Sequence, residues 1–198
     1  MQINSGNALK GKRIAVLMTD GVEQVEYTEP RSFLEGHGAT VTLLSPKNQG
    51  EQVQGMNHSV TGDRFTVEMH VRDARPGDFD ALMLPGGVEN PKKLRKSAEA
   101  IDFIRQFARE DKPIAAICHG PLALIDAGLA MGTHLTSWAD DETKDELVAA
   151  GAEWSDEEIV IDDKLITSRK PADIPAFNDA LYKELGIDPQ VADLGPSS

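Results

Sequence analysis

Short apolar runs rich in β-branched residues alternate along this 198-residue chain with longer stretches of helical period. That alternation builds a parallel sheet covered by helices on both faces, so it confines the chain to the α/β class before any single residue is weighed. Arg13 to Met18 is a buried-strand pattern, and Val22 to Glu35 follows with helical spacing that Gly36-His37-Gly38 stops. Thr40 to Leu44 and Ala81 to Leu84 are further strands, the latter running into Pro85-Gly86-Gly87. A helix over Ala98 to Arg109 closes at Asp111-Lys112-Pro113, and Ile114 to Ile117 is the fourth core strand. Between Asn48 and Asp73 the alternating Val53, Val60, Phe65, Val67 and Met69 predict short, more exposed strands of hairpin type. Later segments read as a buried helix over Leu122 to Ala130, a solvent-facing helix over Asp141 to Ala150, a tight hairpin around Asp162-Asp163-Lys164, and a last amphipathic helix over Ile174 to Leu185.

The length suits one domain over residues 1–198, with a core from about 11 to 186 and a loosely attached Pro-, Gly- and Ser-containing tail over 188–198. No run approaches the ~20 apolar residues of a membrane helix, and Met1 to Arg13 lacks the apolar stretch of a secretion signal. A soluble, cytoplasmic protein is expected. A net charge of −13 argues against nucleic acid and anionic membrane as primary partners, since both demand clustered Lys and Arg. One cysteine forms no internal disulfide and leaves its thiol free to react.

That cysteine stands in Ala115-Ala116-Ile117-Cys118-His119-Gly120-Pro121, where a strand breaks before a helix-like segment. A strand-to-helix turn lifts a side chain clear of the sheet and sets its sulfur over the positive end of the next helix. The heptapeptide alone is also compatible with a small buried apolar residue. His37, His58, His70 and His134 lack ligand spacing, and neither a zinc cluster nor a calcium-loop pattern is present, so no metal and no cofactor are expected. Trp138 and Trp154 read as packing residues.

Four separated stretches then align with one family: Thr19-Asp20-Gly21-Val22-Glu23-Gln24-Val25-Glu26, Leu82 to Val88, Ile117 to Pro121, and Thr167-Ser168-Arg169-Lys170-Pro171-Ala172-Asp173. Together they resemble the PfpI family, the stress-associated branch of the superfamily that includes the parkinsonism-associated deglycase and, more distantly, class I glutamine amidotransferases. The resemblance runs from about Gly11 to Gly186. It implies a flavodoxin-like three-layer sandwich with a mostly parallel sheet, Cys118 at a nucleophile elbow, and homo-oligomers that are dimers or hexamers built from them. It further implies that the carboxyl of Glu23 lies against the sulfur, and that the amides of Gly87 and His119 form an oxyanion hole, with Gly86 assisting. Read without the resemblance, Glu23 is rather an exposed first-turn acid that complements a helix dipole.

His119 is the evident proton acceptor, or else a histidine buried at a subunit contact. In many PfpI-type proteins an acidic residue follows the proline after the Gly86-Gly87 loop and, reaching across a subunit contact, orients this histidine, whereas Val88-Glu89-Asn90-Pro91-Lys92 puts a lysine there. Lys92 has no acceptor to offer an imidazole N–H, and Glu89 substitutes only if the loop takes a helical turn. Arg169 either binds a substrate carboxylate or pairs with Asp173 to pin the last helix. The expected activity is cysteine-dependent chemistry on a small reactive carbonyl such as methylglyoxal, or on its adducts with thiols and amines. Peptide hydrolysis and a redox-responsive or chaperone-like stress role are the alternatives.

Overall fold

The computed structural model describes residues 7–186, so the predicted tail at 188–198 lies outside the described residues. In chain order the elements are β1 (Arg13–Leu17), β2 (Val22–Glu23), α1 (Val25–Gly36), β3 (Thr40–Ser45), β4 (Gln52–Asn57), β5 (Val60–Thr66), β6 (Met69–His70), β7 (Ala81–Leu84), α2 (Glu89–Leu94), α3 (Ala98–Ala108), β8 (Ile114–Ile117), α4 (Leu122–Asp126), β9 (His134–Leu135), α5 (Asp141–Ala149), β10 (Glu153–Trp154), β11 (Val160–Asp162), β12 (Leu165–Ser168) and α6 (Ile174–Gly186). Seven strands form a central sheet in the order β11-β12-β8-β7-β1-β3-β6, parallel except for the antiparallel β11–β12 hairpin. This is an α/β three-layer fold.

Both faces of the sheet are buried, which is why its strands read as continuous apolar runs. Ile14 and Val16 of β1 face one layer, where Leu34 of α1 and Phe177 and Leu181 of α6 cover them. Ala15 and Leu17 face the other, beneath α3, α4 and α5. Helix α3 starts because the Ser97 hydroxyl accepts from the Ala100 amide at 3.2 Å. Its Ala100, Ile101, Ile104 and Phe107 recur at helical spacing and are buried. The larger of these side chains, Ile101, Ile104 and Phe107, each contribute roughly 1.5–3 kcal/mol through burial. The helix ends before Asp111, which takes a left-handed φ of 55° ahead of Pro113.

Two local expectations change. Val22 and Glu23 are strand rather than helix: they pair with Gly55 and Met56, and the Gln24 amide donates to the Met56 carbonyl at 2.8 Å. Tertiary pairing with the β4–β5 hairpin overrides helical spacing there, and α1 begins only at Val25. The helix expected over Leu122 to Ala130 is a single short turn, ended before Gly128 at φ 75°. The two-residue strands β9 and β10 pair in a small sheet of their own, too short to leave a periodic signal.

From β1 the chain moves outward to β3 and β6, then returns to lay β7 on the other side of β1. Such a switch point opens a crevice at the carboxyl ends of the strands. The loops after β1, β7 and β8 meet there, and these carry Gly21, Gly86-Gly87 and Cys118.

Candidate active site

Cys118 takes a left-handed φ of 62°, a conformation an L side chain adopts at a cost, directly after the last residue of β8. Its amide donates to the Ser168 carbonyl at 3.0 Å and its carbonyl accepts from the Trp138 amide at 2.9 Å, so both flanks of the turn are fixed. Gly120 permits the sharp return: a Cβ there would lie 2.4 Å from the Leu84 carbonyl oxygen. The first amides of the following turn are used within it, Gly120 on Ile117 and Leu122 on His119. The positive partners of the sulfur are therefore not a helix terminus but two particular amides, those of Gly87 and His119, which lie by Sγ and pull the thiol pKa down. Gly87 reaches this place with a φ of 88° and with its α-carbon so close to the loop after β1 that a Cβ would come within 2.2 Å of the Gly21 carbonyl oxygen.

The carboxyl beside the sulfur is that of Glu26, not Glu23. Glu26 lies in the first turn of α1 and is fully buried, its Oε2 accepting from the Gly86 amide at 2.7 Å. Its side chain lies beside Cys118, and among the described residues Oε1 has no hydrogen-bond partner. Gly86 stands between the two groups; a Cβ there would meet the Cys118 Cβ at 2.7 Å and Glu26 Oε2 at 2.8 Å. Glu23 sits on extended backbone two residues before the helix, and its carboxyl oxygens instead accept from the His58 amide at 3.1 and 3.2 Å. The strand at Val22–Glu23 is the cause of the exchange, because it delays the helix until Glu26 points inward.

Burial raises the Glu26 pKa from 4.5 to about 8, the Gly86 and Cys118 hydrogen bonds opposing and the charge of Glu23 adding to it. Burial, followed by repulsion from an ionised Glu26, also pushes the Cys118 thiol up, while the two amides pull it down. Each anion repels the other in a water-poor pocket, so the pair resists losing its second proton. A negative sulfur is compatible with this site when the carboxyl keeps its proton.

His119 Nδ1 lies 3.2 Å from Cys118 Sγ. Burial lowers the imidazole pKa, Asp140 opposes that, and the positive charge of Lys92 reinforces it. The Asp140 Oδ2 is 3.8 Å from His119 Nε2, and the Trp138 ring stacks on the imidazole with centroids 5.8 Å apart. Trp138 thus belongs to the site rather than to packing alone, whereas Trp154 donates to the Ser137 hydroxyl at 2.9 Å. Glu89 does open a helix, α2, but stands exposed beside Gly21 and outside the cavity wall. Arg169 is also outside it, held by Asp173 at 2.9 and 3.1 Å and by Asp156 at 2.9 Å. That is the structural pair rather than a substrate clamp.

These groups open onto a cavity of about 470 Å³, whose walls also include Glu23, Lys92, Arg95, Leu122 and Pro171. The volume suits a small molecule or one modified side chain. Among the described residues no group of three or more His, Cys, Asp or Glu side chains could hold a metal ion, and no helix is long and apolar enough to cross a membrane. Sequence reasoning missed Glu26, Asp140 and Trp138 as site residues. Glu26 ends the first stretch that carried the family resemblance, and a helix start moved by three residues would have pointed to it; Asp140 and Trp138 carry no local signal.

Comparison with known proteins matches residues 12–184 to the DJ-1/PfpI family. Protein/nucleic acid deglycase 2 of Escherichia coli is 39% identical over 176 residues, covering 88% of this chain and 98% of the relative. General stress protein 18 of Bacillus subtilis is 38% identical over 169 residues, covering 85% and 94%. The crystal structure of Drosophila melanogaster DJ-1beta superimposes with a TM-score of 0.78 at 29% identity, covering 92% of this chain and 94% of that one.

Proposed function

The chain belongs to the DJ-1/PfpI family, and from that premise we propose that it is a cysteine-dependent enzyme acting on small reactive carbonyls, methylglyoxal and its adducts with thiols and amines among them. The observation that carries this reading is the contact between Cys118 and a buried Glu26 whose carboxyl titrates near neutrality, at the base of a small cavity. A relative named as a deglycase supports the same direction.

The sulfur attacks the aldehyde carbon, its S–C bond forms, and the carbonyl oxygen takes a proton to give a hemithioacetal. A base then removes the proton from that carbon while the ketone oxygen takes one, giving an enediol; a proton next returns to the ketone-derived carbon as the hemithioacetal hydroxyl loses its own, so that one carbon is oxidised and the other reduced within the same molecule. The product is a thioester of lactate, which water cleaves to lactate and free thiol. Such a sequence needs a group that both gives and takes protons near pH 7, and a carboxyl tuned to about 8 is poised for it. His119, lowered by burial and therefore neutral at that pH, serves as the second proton carrier. Glu23 holds the hairpin tip against the cavity rim through the His58 amide.

Purified protein incubated with methylglyoxal should release lactate, and Cys118→Ala and Glu26→Gln should each abolish it. Equal lactate from wild type and Cys118→Ala removes the reading. A second reading, peptide hydrolysis, draws on the 3.2 Å approach of His119 Nδ1 to the sulfur. Cleavage of a fluorogenic peptide that is lost in Cys118→Ser, with no lactate from methylglyoxal, would favour it over the first.

A further inference from the structure

The acid that would orient His119 is missing at Lys92 and is not supplied by Glu89, yet the cavity holds one on another element. Asp140 is the N-cap of α5, on extended backbone (φ −84°, ψ 158°), and its Oδ1 accepts from the Thr143 amide at 2.8 Å. That bond fixes the carboxylate and leaves Oδ2 facing His119 Nε2 at 3.8 Å. Trp138, two residues earlier, anchors the segment to the elbow through its amide on the Cys118 carbonyl and its ring on the imidazole. The separation is Coulombic rather than a hydrogen bond, and catalytic bonds of this kind are often long without substrate and shorten on binding.

We propose that Asp140, from the same chain as the nucleophile, is the positioning residue for His119, selecting the tautomer with its hydrogen on Nε2 so that the Nδ1 lone pair faces Cys118. A carboxylate beside one ring nitrogen favours the hydrogen there, and the other nitrogen is left as the acceptor. In the transfer the Sγ–H bond breaks, the Nδ1–H bond forms, and the sulfur keeps the electron pair as a thiolate. The imidazolium produced is compensated by Asp140; nothing is oxidised. Slight burial opposes the charge of Asp140, but the Thr143 hydrogen bonds and His119 hold its carboxyl below the usual range, so it is anionic at neutral pH. The charges facing the ring are Cys118 on its own turn, Lys92 from α2, Asp140 at the cap of α5, and Glu142 in its first turn. Among the described residues, the charged group against Nε2 is Asp140. The inference rests on the cysteine chemistry proposed above for its turnover measurement alone.

Asp140→Asn removes the charge and keeps an N-cap of equal quality, and Asp140→Ser does the same should the first variant fold poorly. Nitrogen-15 shifts of His119 in the labelled full chain report tautomer and pKa with no substrate present. Wild type should show hydrogen on Nε2. The variants should show mixed or reversed tautomers and a His119 pKa lower by roughly one unit, with Asp140→Glu restoring part of both. With methylglyoxal, kcat should fall roughly 10-fold or more while KM stays within about twofold. Unchanged tautomer and titration in the folded variants overturn the proposal, whatever happens to turnover. The expected shifts in a wild-type protein that makes no lactate uphold it and remove the carbonyl reading alone.

Discussion

At the scale of single residues the site turns on where one proton sits between Cys118 and Glu26. In the folded chain the Glu26 carboxyl titrates near 8, against 4.5 for an unburied carboxyl, so between those values the folded state holds a proton that the unfolded state has released. The sign follows: stability from this group is fully present below pH 4.5 and is lost as the pH rises through about 8. At about 1.4 kcal/mol per unit, moving from roughly pH 5.5 to 8 should cost on the order of 3 kcal/mol. Glu26→Gln lacks this titration. Urea unfolding at the two pH values should show the loss in wild type and a much flatter profile in Glu26→Gln, with Glu23→Gln, which removes only one minor cause of the shift, keeping most of the wild-type slope. An equal slope in Glu26→Gln would place the titrating group elsewhere.

At the scale of elements, the strands and their order of appearance were legible because both sheet faces are buried, which turns residues 14–17, Ala81–Leu84 and Ile114–Ile117 into uninterrupted apolar runs. The elbow was legible for a related reason: an apolar strand cannot pass into His119-Gly120-Pro121 without turning. The partner carboxyl was not, because the choice between Glu23 and Glu26 depends on whether Val22–Glu23 pairs with the β4–β5 hairpin, a contact made with residues more than thirty positions away. Asp140 was hidden for the same kind of reason, since only the fold brings the cap of α5 to the histidine. The loops between these elements are equally exacting. Gly87→Ala would need a positive φ from alanine and would drive its Cβ into the Gly21 carbonyl and the Glu23 amide, at 2.2 and 2.6 Å. The loop must move, taking with it an amide that favours the thiolate. A loss of roughly 2–4 kcal/mol in unfolding free energy is expected, together with slower alkylation of Cys118 by iodoacetamide at neutral pH. Alkylation at the wild-type rate would mean that the Gly87 amide contributes nothing to the thiolate.

Across the whole molecule, the nucleophile and the residue proposed to orient its histidine stand on different supports, and their register depends on how α5 is tied to the rest. Cys118 is set by the sheet through β8 and its bond to Ser168. Asp140 is set by α5, whose inward anchor is Leu147 in the core. The polar tie is Arg95, which follows α2, carries a wall of the cavity, and pairs with both Asp126 of α4 and Glu146 of α5, the latter at 2.6 Å. The guanidinium is about a fifth exposed and its partners more so, so the pairs add only on the order of 1 kcal/mol to global stability. Their larger effect is geometric, since they join three helices around one opening. Arg95→Met should therefore lower the unfolding midpoint only slightly, yet reduce kcat by letting α5 and its cap drift from His119. If that is the route, the loss in Arg95→Met and the loss in Asp140→Asn remove the same contact, and the double variant should be little worse than Asp140→Asn alone. Independent roles would instead multiply the two defects. A kcat/KM cycle over the four proteins separates these outcomes, and a multiplicative result would detach Arg95 from the histidine and leave it a purely structural tie.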